Sequence, residues 1–399
     1  MLDSHAPLRI PALNWSALQE RVRRTVEGAA DPRPWVAAAL DGDVRHVCAA
    51  MYLYDRRAVV DVPTDSAAQG IVWFVGDIHG DLLGLEAALA AIEYLGGPDD
   101  RIVFLGDLID DGFHCVEVIL RVVDLILERP GAVTVLAGNH DEALRYAHDR
   151  GSFASATEPG DFARWLNDHP TWHDVGRAFV RLVADLPRAL FFPQGLFAAH
   201  AGFPHSDTWP QICAGGGPTT LEAPTMLSDF TWNRLAQSRR KIPNRASRGC
   251  EFGSQDFTGF CEVAARALHH PVRTFVRGHD HISDRLERFS RPRAEHRWAY
   301  DEAVLTINNM AFALPREARV DFANVGVTRW PALAMWPLEA SVPLPSPVVV
   351  EIPPTVVEAY LRAYAPAAPP DVVVVQPFDP ELPPEIDEPV AKGLAHGPL

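Results

Sequence analysis

This 399-residue chain predicts an α/β fold built around a parallel sheet, and three observations point to it. From residue 71 onward, short apolar runs alternate with stripes at helical spacing, the signature of strands linked by crossover helices. Five of those runs end in a glycine or alanine that delivers Asp, Asn or His, where a parallel sheet gathers polar groups at the carboxyl ends of its strands. A hydrophobic content of 47% with 22% charged residues is ordinary for a globular chain large enough to bury a substantial core.

Residues 15 to 60 read as helical: Leu18, Val22 and Val26 recur at helical spacing, and Trp35 to Leu40 starts a second candidate after Pro32 and Pro34. The expectation is a helical N-terminal extension over 1–70, closed by a polar turn from Asp61 to Gly70. Helices follow at Leu82 to Tyr94 and at Cys115 to Glu128, where Val116, Ile119, Leu120, Val123 and Leu127 share a stripe. Gly151 to Pro170 reads as an irregular insertion, and Val175 to Leu186 as the helix feeding the fourth run. Gly215-Gly216-Gly217-Pro218 lacks the preceding strand and the Lys-Ser/Thr ending of a phosphate-cradling loop. Glu302 to Asn308, Arg319 to Val327 and Ala332 to Leu338 read as a second set of strands. The main domain is expected over 71–342, followed by a proline-rich acidic C-terminal tail over 343–399, with no packed core from about Pro366. No internal repeat is found.

The net charge of -16 works against non-specific binding to nucleic acid or to an anionic membrane surface. Part of it sits in the tail. Five cysteines without close pairing (Cys48, Cys115, Cys213, Cys250 and Cys261) fit a reducing compartment, and a thiolate zinc site is not expected. Met1 to Trp15 shows no basic patch followed by an apolar core, and no apolar run approaches the ~18 residues of a membrane span. A cytoplasmic protein with no nucleic-acid or membrane partner is the expectation.

The five runs carry the chemistry. Ile71 to Val75 leads into Gly76-Asp77-Ile78-His79-Gly80, and Arg101 to Leu105 into Gly106-Asp107 and on to Asp110. Ala132 to Ala137 leads into Gly138-Asn139-His140-Asp141, Gly195 to Ala199 into His200-Ala201-Gly202, and Arg273 to Arg277 into Gly278-His279-Asp280-His281. A single such residue after a strand is ordinarily a turn or a local hydrogen bonder; five in order are not. Asp77 and His79, two apart, would leave a strand on one side and hold one divalent cation. Asp107 offers two carboxylate oxygens to bridge two cations, and Asn139, His200 and His279 complete the second position. A set of oxygen and nitrogen donors suits manganese, iron or zinc. Two cations ~3.5–4 Å apart would lower the pKa of a bridging water, so that a metal-bridging hydroxide attacks phosphorus. His140, expected to point away from the metals, is the candidate general acid for the leaving group, a role that contributes ~10²–10⁴-fold in rate. Asp110 would fix its tautomer.

Together these segments resemble the phosphoprotein phosphatase family of the calcineurin-like metallophosphoesterases over about residues 71 to 310, including Leu186-Pro187 before the fourth run. The resemblance implies a two-sheet β-sandwich flanked by helices. It implies two metals, preferably manganese, with Asp77, His79 and Asp107 on the first and Asp107, Asn139, His200 and His279 on the second. It further assigns Arg248, in Ser247-Arg248-Gly249, to phosphate binding. The implied activity is hydrolysis of a serine/threonine phosphoprotein or a small phosphoester, with dinucleoside polyphosphate hydrolysis as the enzymatic alternative. A weakly catalytic phosphate-binding scaffold is the rival outside enzymology. The proline segments of the tail offer a partner site.

Two positions depart from the family pattern. Asp111 stands where its second signature has a phosphate-binding arginine, and losing such a charge-assisted hydrogen bond costs about 1.5–3 kcal/mol. Arg239-Arg240-Lys241 with Arg245 could compensate, or could be a solvated loop. His281 extends the last motif to Gly-His-x-His, found more widely among metallophosphoesterases, and is either an extra ligand to the first metal or a loop histidine.

Overall fold

The computed structural model describes residues 7–11, 13–54, 57–62, 70–236, 238–244, 248–281, 286–288, 303–312, 328–338 and 345–365. Its strands, in chain order, are β1 (Leu8–Ile10), β2 (Val59–Asp61), β3 (Ile71–Val75), β4 (Arg101–Phe104), β5 (Val133–Val135), β6 (Leu144–Ala147), β7 (Ser152–Ser155), β8 (Ala189–Phe191) and β9 (Leu196–Ala199). They continue as β10 (Arg234–Leu235), β11 (Ile242–Pro243), β12 (Cys250–Phe252), β13 (Thr274–Arg277), β14 (Leu286–Arg288), β15 (Val304–Ile307), β16 (Ala332–Pro337) and β17 (Ser346–Val350). The helices are α1 (Trp15–Gly28), α2 (Pro34–Leu40), α3 (Arg45–Ala49), α4 (Leu82–Leu95), α5 (Cys115–Glu128) and α6 (Asn139–Ala143). Then come α7 (Asp161–Asp168), α8 (His173–Asp185), α9 (Trp209–Ala214), α10 (Pro224–Trp232), α11 (Ser254–Leu268) and α12 (Pro354–Tyr364).

Two six-stranded sheets dominate, ordered β1-β17-β16-β3-β4-β5 and β14-β15-β13-β9-β8-β2. The alternation of side chains along each strand explains why the runs are apolar throughout. Val72 and Phe74 of β3 meet Leu190, Ala198, Val276 and Leu305 of the other sheet in the layer between the sheets. Trp73 and Val75, on the opposite face, pack among Leu85, Ala88 and Ile119 of α4 and α5. Phe197 and Phe275 do the same for the second sheet, against Phe257 and Phe260 of α11. The central strands thus face apolar neighbours on both sides. Trp73 is fully buried and directs its indole N–H to Asp100 at 2.7 Å.

The parallel core β3-β4-β5 is as expected, yet each sheet is mixed: β16 runs antiparallel to β3, and β8 antiparallel to β9. The N-terminal region is more than a helical extension. β1 pairs with β17 at the edge of one sheet, and β2 pairs with β8 at the edge of the other. The segment expected to open the tail is likewise built in, since β17 and α12 bury Val348, Val350, Val356, Val357 and Tyr360. Proline at helix position N1 lacks no needed hydrogen bond, so Pro354 starts α12 instead of breaking it. The strand expected over Arg319 to Val327 and the tail from Pro366 lie outside the described residues. Among the described residues no helix is long and apolar enough to cross a membrane, and all five cysteines are free.

Trp35, 2% exposed, anchors α2 in the core beside α8. Trp35→Ala is expected to cost about 3–5 kcal/mol, read as a lower urea midpoint at unchanged slope; a shift under about 1 kcal/mol would mean that residues 1–49 are a detachable appendage.

Candidate metal centre

The ends of β3, β4, β5, β9 and β13 lie side by side, and the loops that follow them converge on one buried point. Among the described residues, three groups have ligand atoms all within 4.8 Å of one another: Asp77, His79 and His281; His79, Asp107 and His140; and Asp107, His200 and His279. Asn139 joins them through Oδ1, 3.0 Å from His200 Nε2. The residues read from the sequence as ligands are therefore brought together, and His281, whose part the spacing left open, lies with Asp77 and His79. Its Nε2 is 2.9 Å from His79 Nε2 and 3.6 Å from Asp77 Oδ2.

The loops are bent hard to achieve this. Among the described residues six that are not glycine have positive φ, and five of them are His79, Asp107, Asp110, Asp111 and His279. Such a conformation is unfavourable for a side-chain-bearing residue and persists only where surroundings over-determine it. Asp141 is one such restraint: its carboxylate accepts the backbone N–H groups of Asp107, Leu108 and Gly138 at 2.8, 3.0 and 3.0 Å. The glycines of the motifs are places of close approach. A Cβ on Gly278 would sit 2.0 Å from Asp77 Oδ1, and one on Gly138 2.1 Å from Asp107 Oδ1.

Ring orientation follows from carbonyl partners, because a carbonyl only accepts. His79 Nδ1 lies 2.9 Å from the Ile109 carbonyl and His200 Nδ1 3.0 Å from that of Leu105. Each therefore donates from Nδ1, and in the neutral ring Nε2 presents a lone pair to the cluster. Asp107 Oδ2 faces both, at 3.5 Å from His79 Nε2 and 3.3 Å from His200 Nε2. His200 Nε2 and His279 Nδ1 are 3.2 Å apart, and His279 Nε2 is buried with no hydrogen-bond partner among the described residues.

Charge is unbalanced in this enclosure. Burial pushes the Asp77 carboxyl up, with His200 opposing, although both its oxygens accept the His279 N–H. Burial also works against the charge of Asp107, but His200, His140 and His79 outweigh it and hold that carboxyl well below its usual range. Burial, helped by the Arg234 guanidinium and by the neighbouring His200 ring, drives His279 well below the imidazole range. Lone pairs aimed at one another, an orphaned imidazole nitrogen and two buried carboxylates constitute a donor set that fits divalent cations.

His140 departs from the expectation that it would turn away. A ring nitrogen lies within 4.8 Å of the ligand atoms of His79 and Asp107, and its ring meets that of His79 edge to face at 4.9 Å between centroids. Its Nδ1 is 2.8 Å from Asp110 Oδ2, the pairing expected, and the other Asp110 oxygen accepts the Phe162 N–H at 3.0 Å. Burial opposes its protonation, but Asp107 and Asp110 overcome that and raise its pKa to about 9.

Arg248 is described apart from the ligand set: exposed, its guanidinium lies 5.4 Å over the Trp232 ring, at a cavity of ≈ 420 Å³ also lined by Asp141 and Glu142. Asp111 is buried, its N–H donating to Asp161 at 3.1 Å, in an acidic loop with Asp110. Ser247 and Arg245 lie outside the described residues.

Sequence reasoning passed over Arg234 and Asp280. Asp280, between the two histidines of the last motif, accepts from Arg234 at 2.6 Å and from the wholly buried Arg277 at 2.6 Å. Arg234 is partly exposed beside His279 and so is a cation near the cluster that solvent also reaches. The Gly-His-x-His spacing places residue 280 between two ligands, but nothing in the sequence pairs it with a residue 46 positions earlier.

A family model described as calcineurin-like phosphoesterase matches residues 71–283. A PP2A-like serine/threonine-protein phosphatase of Candida albicans is 28% identical over 209 residues, 51% of this chain and 47% of that protein. The chain thus spans about half the length of this relative. A protein phosphatase 2A catalytic chain of Dictyostelium discoideum is 24% identical over 60% of this chain and 72% of its own length. In three dimensions, a serine/threonine phosphatase of Saccharomyces cerevisiae with similarity to human PP5 superposes with a TM-score of 0.53, at 16% identity, covering 84% of this chain and 97% of its own.

Substituting Gly278→Ala is expected to push the His279 loop off Asp77. The measurement is metal content of purified protein beside its far-ultraviolet circular dichroism: metal lost with the spectrum kept is the expected result.

Proposed function

We propose, from the premise that this chain belongs to the calcineurin-like phosphoesterase family, that it is a metal-dependent phosphomonoesterase acting on a serine/threonine phosphoprotein. The observation that carries this reading is the buried His140–Asp110 pair set against a cluster that shares Asp107. The phosphatase names of the sequence relatives support the substrate class.

In this reading Asp77, His79, His281 and Asp107 hold one divalent cation, and Asp107, Asn139, His200 and His279 a second; manganese is our choice, with iron or zinc as alternatives. Cations so held would supply an ionised water at neutral pH and offset charge on the phosphoryl oxygens. The chain's own residues do the rest. Asp110 accepts from His140 Nδ1 and keeps the ring turned so that Nε2–H faces the leaving-group oxygen, which receives that proton as the ester bond breaks. Arg234, fixed through one nitrogen by Asp280, keeps further N–H donors for a phosphoryl oxygen and takes over from the arginine that Asp111 displaces. Arg248, exposed over Trp232, is in this reading a further cation available to the phosphoryl group. Asp111 and its neighbours Asp110 and Asp161 repel a phosphate dianion, which biases the phosphoryl group toward Arg234.

Turnover of a chromogenic phosphoester with Mn²⁺ tests the assignment. His140→Asn at unchanged metal content is expected to lose ~10²–10⁴-fold in kcat; metal-loaded wild-type protein without turnover would favour the scaffold reading. The acid must be protonated to act, and Asp110 raises the His140 pKa. In Asp110→Asn, therefore, the alkaline limb of the rate profile is expected at lower pH than in the wild type. Asp111→Arg is expected to raise kcat/KM for a monoester by about tenfold, one charge-assisted hydrogen bond; no gain at equal metal content would contradict the account of residue 111.

A further inference from the structure

Between Arg234 and Arg248 the chain carries six basic residues, Arg234, Arg239, Arg240, Lys241, Arg245 and Arg248, and no acidic one, although the whole protein is at -16. The mechanism above uses only the two ends of this segment. Its fold places Arg239, Arg240 and Lys241 near the metal centre. β10, β12 and β11 form a small sheet, with Arg234 and Ile242 both opposite Glu251 of the central strand. Two strand spacings put Lys241 and its neighbours on the order of 10 Å from Arg234. At one edge Arg234 and the Leu235 N–H are tied to Asp280, between the two histidines of the last motif. At the other, Lys241 Nζ lies 2.9 Å from Nδ1 of His205, five residues after His200. Arg239, Arg240 and Lys241 are all exposed. The acids on this side are Asp207, 3.5 Å from Lys241, Asp229, which accepts the His205 N–H at 2.9 Å, Glu251, and Asp256, whose carboxylate accepts the Gly253 N–H; of these only Asp207 is exposed. Across the site, Asp110, Asp111 and Asp161 gather instead. The mouth therefore has a cationic side and an anionic side.

We propose that the segment from Arg239 to Lys241 forms a cationic rim that receives a second anionic group of the substrate, so that phosphoesters with another negative charge within about 10 Å of the scissile phosphate are preferred. This rests on the phosphoesterase reading of the adjacent centre. The acidic loop at 110, 111 and 161 makes the preference directional, since a substrate bound the other way round would set its second charge against carboxylates. Two sources carry the required chemistry, acidic residues flanking a phosphoserine and the further phosphates of a nucleoside polyphosphate.

The experiment compares kcat/KM of the metal-loaded full chain for two phosphoserine peptides of equal length, one with Asp and Glu flanks and one with neutral flanks, and for bis-adenosyl tetraphosphate. It is repeated with Arg239→Gln/Arg240→Gln/Lys241→Gln, substitutions on the surface of the small sheet. The wild type is expected to favour the acidic peptide by about tenfold, as two or three exposed ion pairs would give. In the variant the ratio should fall toward one, and in the wild type it should fall as added salt shortens screening to about 3 Å at 1 M. A tetraphosphate that gains the same advantage, lost in the same variant, identifies polyphosphate as a source; loss for the peptide alone identifies acidic peptides. A wild type indifferent to flanking charge, or a ratio untouched by the triple substitution, overturns the rim. Fluorescence anisotropy of the labelled peptides separates this from failure of the activity itself: a protein that hydrolyses nothing yet binds the acidic peptide more tightly, in a manner lost in the variant, keeps the rim and discards the phosphoesterase.

Discussion

The site depends on one buried carboxylate that faces three histidines at once. Asp107 Oδ2 stands 3.3 Å from His200 Nε2 and 3.5 Å from His79 Nε2, while Oδ1 accepts the His140 N–H at 2.9 Å. Its backbone is held at positive φ by the Asp141 carboxylate, which grips the N–H groups of residues 107, 108 and 138. A buried charge costs several kcal/mol unless it is paired. Here the pairing is incomplete within the chain, because Asp77 is pushed up and His279 pushed down by the same burial. Divalent cations would complete it, so their binding is expected to be coupled to the order of these five loops.

That coupling explains why strain is concentrated where it is. The loops leave parallel strands at nearly the same level, as the β9–β13 and β13–β15 registers require, and must turn within two or three residues to aim inward. Left-handed backbone at His79, Asp107 and His279 achieves the turn, and glycine precedes two of the three, Asp107 and His279. At Gly278 and Gly138 the missing Cβ gives a carboxylate oxygen its place, a matter of contact and not of backbone freedom. The layer between the sheets, packed by Phe74, Phe192 and Trp336, keeps the strand ends from drifting apart.

Around this centre the charge is sorted by side, not balanced. Carboxylates of Asp110, Asp111 and Asp161 occupy one side, with burial and Asp110 pushing Asp161 up to about 6. Arg234 and the basic segment after it occupy the other. The departure at residue 111 is thus part of a pattern, an acidic loop on one side and a guanidinium held by Asp280 on the other.

The sequence by itself determined the order of strands and helices through the core, because apolar periodicity and the motif glycines are local; the helix at Cys115 to Glu128 was read with the bounds it has. It also singled out Asp77, His79, Asp107, Asn139, His200 and His279, since each ends a run whose register is set by burial on both faces. Residues 345–365, which their prolines assign to a tail, belong to the core instead, because proline at a strand edge or a helix start costs little, and only the partners of β17 and α12 show it. His281 could not be placed from spacing alone, as its nitrogen meets that of a residue 202 positions away. Arg234 has no motif that marks it; its place follows from the bond to Asp280 at the edge of the small sheet. Tertiary structure decided these because hydrogen bonds and charge pairs between distant segments depend on which loops the sheets bring face to face, and no local pattern records that.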